Sequence, residues 1–168
     1  MILFFRGKAA TGKSTVAEIV SSQRKYNVIS KDSIFDEFLI QGLDWSTATS
    51  MAYDKLADTI QEYHDRELNV IVDLGLAHEP FFTKFFSRMR LDLEKVRLFL
   101  FVCGNIEIWE ERIAKRVDNA ESSNQAFKSV YDATRHYEAY HIHKLSYEIE
   151  IDSALSIEAM VNKVCDVI

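Results

Sequence analysis

Eight residues near the start of the chain, Gly7-Lys8-Ala9-Ala10-Thr11-Gly12-Lys13-Ser14, fit the pattern G-x-x-x-x-G-K-[ST] and narrow the fold more than any other feature. They follow the apolar run 2–5 and open a segment in which Val16, Ile19 and Val20 form a helical stripe. Strand, glycine-bearing turn and helix is the context this motif requires. Gly7 and Gly12 permit backbone angles that other residues resist, so successive N–H groups can turn inward, and the start of the helix adds partial positive charge at the same place. Such a nest suits the phosphates of a nucleotide, held by Gly7, Lys8, Ala9, Ala10, Thr11, Gly12, Lys13, Ser14 and Thr15. Lys13 is expected to reach the β- and γ-phosphates, and the Ser14 hydroxyl to join the shell of a Mg²⁺ ion.

The 168 residues span the usual size of one domain, so residues 1–168 are expected to fold together. Hydrophobic residues make up 48% of the chain and charged ones 27%, the balance of an ordinary globule rather than a disordered segment. The net charge of -6 argues against a grip on long nucleic acid, which needs a basic face. Cys103 and Cys165 lie far apart without paired spacing, which points to two reduced core residues and to neither a disulfide framework nor a thiolate metal site. The opening apolar run is too short for a signal peptide or a membrane span, so the expectation is a cytoplasmic protein with no membrane partner. Composition leaves the oligomeric state open.

Five short apolar segments, 2–5, 26–30, 68–73, 96–103 and 147–151, read as strands, with helical patterns between them. Ala52, Leu56 and Ile60 give a stripe before the third strand, Ile106, Trp109, Ile113 and Val117 one after the fourth, and Ser156 stands as N-cap to a last helix burying Met160, Val161 and Val164. Alternating strands and helices require crossovers, so the fold class is α/β: a three-layer, mainly parallel five-stranded sheet with helices on both faces. In the final strand Glu148 and Glu150 alternate with Tyr147, Ile149 and Ile151, which predicts a sheet edge with one wetter face. The polar run DNAESSNQ at 118–125 reads as a surface loop leading into a helix from about Ala126, and as the candidate lid, approximately 112–136.

Acids at the carboxyl ends of the other strands decide what the nest is for. Asp73 closes the run Val70-Ile71-Val72 in the manner of a Walker B carboxylate on Mg²⁺, though a capping aspartate would look the same. Asp32 follows the second strand and could accept a proton from an acceptor hydroxyl; alternatively Ser30 or Asp32 only caps the next helix, where Asp36 and Glu37 read as solvated. Arg112 and Arg116 share a helix face leading into the lid and could neutralise charge on a phosphoryl group, or pair with Glu107, Glu111 or Asp118 at the surface. Arg135 is a weaker candidate of the same kind. His141 and His143 lack a third metal ligand, and Phe81, Phe82, Phe85, Phe86 and Met89 recur at the spacing of core residues. Residues 74–78 are expected to border an acceptor pocket.

With these residues placed, the chain resembles the P-loop kinases that include the AAA-type small kinases, chloramphenicol phosphotransferase, zeta toxins and the polynucleotide 5′-kinase domain. The likeness runs through GKAATGKST, ISKDSIFDEF, NVIVD, EERIAKR and YEIEIDS in order, although Ala9 and Ala10 stand where many relatives carry glycine or proline. The resemblance implies strand order 2-3-1-4-5, ATP and Mg²⁺ as the nucleotide and metal, Asp32 acting on the acceptor hydroxyl, and Arg112 and Arg116 touching ATP phosphates. It implies an ATP-dependent kinase acting on a small-molecule hydroxyl of a metabolite, nucleoside, sugar or antibiotic. A polynucleotide 5′-hydroxyl kinase or a nucleotide kinase is the near alternative, and an ATPase switch without a second substrate the alternative of another class. A GTPase is disfavoured because Asp73-Leu74-Gly75 is not D-x-x-G and no N-K-x-D motif occurs.

Overall fold

The computed structural model describes residues 1–119, 127–139 and 142–168. Five strands, β1 (Ile2–Gly7), β2 (Asn27–Ser30), β3 (Val70–Asp73), β4 (Val96–Val102) and β5 (Ile149–Asp152), form one sheet in the order β2-β3-β1-β4-β5. Every pairing is parallel, including that of the last strand. This is the α/β architecture expected from the strand and helix pattern, in the strand order that the resemblance implies.

Successive side chains of a strand face opposite sides, and a sheet covered on both sides must therefore be apolar without alternation. In β1, Ile2 and Phe4 enter one core with Val70, Val72, Val96 and Leu98, whereas Leu3 and Phe5 enter the other with Ile71, Phe99 and Phe101. The first core is closed by α2 (Lys31–Ile40), α3 (Trp45–Asp65) and α4 (Glu79–Phe86). The second is closed by α1 (Lys13–Arg24) and α7 (Ile157–Cys165), the latter capped by Ser156 as expected. A third, smaller cluster of Trp109, Ile113 and Ala133 joins α5 (Ile106–Asp118) to α6 (Val130–Ala139) beside the loop after β1.

Several expectations need correction. Glu148 lies outside β5 and is buried, so only Glu150 faces solvent at that edge. The reason is Arg6, fully buried near the end of β1, whose guanidinium forms a two-pronged ion pair with the Glu148 carboxylate. Phe82, Phe85 and Met89 are core as expected, but Phe81 is 51% exposed and stacks edge-on against His78. Ile106, placed in the apolar stripe, is also exposed. Cys103 and Cys165 are free but half-buried rather than core. The segment 118–125 falls largely outside the described residues, as do Ala126 and His141; Asp118 ends α5 and Asn119 caps it. Among the described residues no helix is long and apolar enough to cross a membrane, and no cluster of metal-ligating side chains occurs.

Candidate functional site

The loop after β1 is built as its sequence requires. Gly7 has φ 144°, and a Cβ there would lie 2.1 Å from the Phe101 carbonyl oxygen on the neighbouring strand. Gly12, at φ 78°, precedes α1 with no side-chain cap, so the first-turn amides of that helix are left for an anion. Ala10 holds φ 58°, a left-handed conformation at one of the two positions where many relatives in the resembled families carry glycine or proline. Gly7→Ala is expected to destabilise the fold by about 2–3 kcal/mol, read as a lowered melting temperature together with lost nucleotide binding.

Around this loop the sheet register gathers the acids. Phe5 of β1 and Ser30 of β2 both pair with Asp73, so the ends of three adjacent strands meet at one edge, where ligands bind in open parallel sheets. Ser14 Oγ donates to Asp73 Oδ2 at 2.5 Å, which brings together the two hard oxygen donors expected to hold Mg²⁺. Burial, first, raises the pKa of Asp73, while Lys13 and the Ser14 hydrogen bond oppose that shift. Lys13 is buried, its ammonium donating to the carbonyls of Gly7 at 3.2 Å and Lys8 at 2.7 Å, and burial lowers its pKa.

Ser30 is the N-cap of α2, accepting from the Asp32 amide at 3.2 Å, so the Asp32 carboxylate is free of capping duty. It is exposed, lies 3.2 Å from the Lys31 ammonium, and opens into the same cleft as Lys13, Ser14 and Asp73. That cleft has a volume of about 350 Å³. Asp36, read from sequence as solvated, is half-buried, its Oδ1 has no hydrogen-bond partner among the described residues, and burial raises its pKa. Glu37 is exposed and paired with Lys55.

A second cleft runs from the loop toward Ile157 and Met160. Lys13, Ser14 and Arg116 line both clefts and mark where they meet. Arg112 lines the second, but its guanidinium is engaged by Ser153, donating to the hydroxyl at 3.1 Å and to the carbonyl at 2.9 Å. None of the acids considered from sequence is that partner. Arg135 lies over the Tyr131 ring and borders neither cleft.

Two residues escaped the sequence reading: Trp109, which reads there as part of an apolar stripe, and Tyr137, which no motif singles out. Trp109 Nε1 donates to the Ala9 carbonyl at 2.9 Å, and the Ala9 amide donates to the Tyr137 hydroxyl at 2.8 Å. The Lys8 ammonium lies 4.9 Å from the Trp109 ring centre and 5.4 Å from that of Tyr137. The phosphate loop is thus tied at its tip to α5 and α6, the two helices of the expected lid. Arg6 is the third omission. Besides Glu148 it donates to the carbonyls of Leu76 at 3.2 Å, Ala77 at 2.6 Å and His143 at 2.8 Å, fixing the segment after Asp73. A charge just before the loop on an otherwise apolar central strand was the available signal, since a buried guanidinium must be paired.

A parallel 2-3-1-4-5 sheet with this loop after the central strand and an aspartate on the adjacent one defines a P-loop protein of the kinase-like fold. A family model described as an AAA domain matches residues 2–139, and the chain belongs to that family. Comparison with curated protein sequences gives no match. Among solved structures, a sugar kinase from Janibacter sp. HTCC2649 superposes with a TM-score of 0.70 at 12% identity, over 98% of this chain and 92% of that one. A gluconokinase from Sinorhizobium meliloti 1021 gives 0.67 at 13% identity, over 96% and 87%. Shikimate kinase from Aquifex aeolicus vf5 gives 0.58 at 15%, over 99% and 95%.

Proposed function

We propose that the chain is a single-domain ATP-dependent kinase that transfers the γ-phosphoryl group to a hydroxyl of a small molecule. The observation that carries this reading is the meeting of two clefts at Lys13, Ser14 and Arg116, with Asp32 on one of them. A triphosphate seated along the loop from the Ile157 side would end at that junction, and an acceptor in the first cleft would meet it beside Asp32. An ATPase switch has no need of the first cleft. The structural neighbours described above are kinases, which supports the same reading.

In this mechanism the loop amides and Lys13 hold the β- and γ-phosphates. Asp32 accepts the proton of the acceptor hydroxyl as its oxygen bonds to the γ-phosphorus. The bond from that phosphorus to the bridging oxygen breaks, and ADP leaves with the electron pair. Arg116, and Arg112 once released from Ser153, neutralise charge on the equatorial oxygens, with the lid spanning approximately 112–136. Ser14 and Asp73 would hold Mg²⁺, which supplies charge neutralisation between the β- and γ-phosphates when bound.

The test is ADP release from Mg·ATP with and without a panel of hydroxyl compounds. Release well above the basal rate with at least one acceptor is expected; stimulation by a partner protein alone would favour the switch. Asp32→Ala is expected to lower transfer by about 10²–10⁴-fold with ATP affinity nearly intact. Full transfer in that variant would leave Asp32 as an ordinary first-turn residue of α2.

A further inference from the structure

The acceptor end of the first cleft, beyond Asp32, is walled by rings. Phe35 is buried on α2, Trp45 opens α3 at 50% exposure, and the two rings meet edge-on with centres 4.6 Å apart. Tyr53 stands two helical turns further along α3, on the same cleft, and packs against Phe85. Leu74 and Gly75 form the opposite lip, without a polar side chain.

The polar side chains beside these rings are Lys31, Asp32 and Tyr53, while Lys13, Ser14, Asp73, Arg116, His136 and Tyr137 also line the cleft. The Lys31 ammonium is paired with Asp32 at 3.2 Å and lies 4.3 Å from the centre of the Phe35 ring. Asp32 and Asp73 add negative charge on the cleft, and Asp36 lies one turn along α2 from Asp32. A carboxylate entering here would compete with Asp32 for Lys31 and face the like charges of Asp32 and Asp73. A polyhydroxylated sugar would leave most of its hydroxyls against rings and Leu74, without hydrogen-bond partners. Burial and the nearby Asp32 hold the Tyr53 phenol protonated, so it offers an O–H donor at the edge of an otherwise aromatic slot.

We propose that the acceptor is an uncharged compound carrying its hydroxyl close to a planar ring, with the ring against the half-exposed Trp45 and the hydroxyl at Asp32. Nucleosides and aryl alcohols share this chemistry; sugar acids do not. The proposal rests on the kinase reading for transfer, but its binding half stands apart from it.

The experiment uses the full chain with Mg·ATP and five probes: thymidine, 1-phenylpropane-1,3-diol, D-glucose, D-gluconate and shikimate. Binding is read from tryptophan fluorescence, with Trp45→Leu as the blank for the buried Trp109, and transfer from ADP release. Ring-bearing probes are expected to change Trp45 fluorescence and to raise ADP release, thymidine against the diol deciding between a nucleoside and an aryl alcohol. Trp45→Leu should raise the acceptor KM by about tenfold while leaving ATP affinity unmoved. Ring compounds that bind without being phosphorylated would uphold the pocket class and defeat the kinase reading. Turnover of glucose, gluconate or shikimate in preference to both ring compounds would overturn the pocket class with the kinase reading intact. So would the absence of a fluorescence response to either ring compound.

Discussion

Lys13→Ala is expected to lower the rate of phosphoryl transfer by about 10³-fold or more. The Lys13 ammonium is buried beneath the loop and bonded to the Gly7 and Lys8 carbonyls, 2.7 Å from the latter. In the proposed mechanism it therefore acts twice, tying the loop across its mouth and supplying a fixed positive charge where the transferred group gains negative charge. Lys13→Arg should fare little better, because a planar guanidinium cannot replace a compact ammonium in that enclosure. Both variants should remain folded by circular dichroism, which separates lost chemistry from lost structure. Transfer by Lys13→Ala within tenfold of the unaltered protein would show that the phosphates lie elsewhere.

Glu148→Ala is expected to cost about 3–5 kcal/mol of stability, a fall in melting temperature on the order of 10 °C for a chain this size. Its carboxylate is the counter-ion of the fully buried Arg6 and also accepts from the Leu145 amide at 2.8 Å. Removing it leaves a guanidinium in a core that also contains Phe82, whose ring centre is 5.1 Å from Arg6 Cζ. The double variant Arg6→Met with Glu148→Leu should recover part of the loss, because no charge remains buried. Recovery should stop short of full, since the Leu76, Ala77 and His143 carbonyls lose their donor. A melting temperature for Glu148→Ala unchanged within about 2 °C would mean that the pair contributes no net stability. Thermal denaturation followed by circular dichroism decides it.

Most of the fold was legible because it is written in short-range patterns. The loop at 7–14, the apolar run ending in Asp73 and the aspartate two residues beyond Ser30 each carry their meaning within a few residues, and parallel crossovers bring the three to one edge. What could not be read depends on partners far along the chain. Glu148 looked like the wet side of a strand because alternation says nothing about a guanidinium 142 residues away. Trp109 fitted an apolar stripe, yet its ring nitrogen holds the Ala9 carbonyl, 100 residues distant. Tyr53 sits one position past Ala52 in α3, beside the core stripe, and that offset turns it toward the cleft. Arg112 was weighed against neighbouring acids, whereas its partner, Ser153, follows the last strand.

The destination of the γ-phosphate separates a kinase from a nucleotide switch. ATP labelled at the γ position, incubated with the protein, Mg²⁺ and an acceptor from the ring-bearing class, should deliver its label into an organic phosphate ester, and Asp32→Asn should suppress that ester while still binding ATP. Label recovered only as inorganic phosphate, at a rate indifferent to every acceptor and to Asp32, would show that the protein hydrolyses ATP and transfers nothing to a hydroxyl.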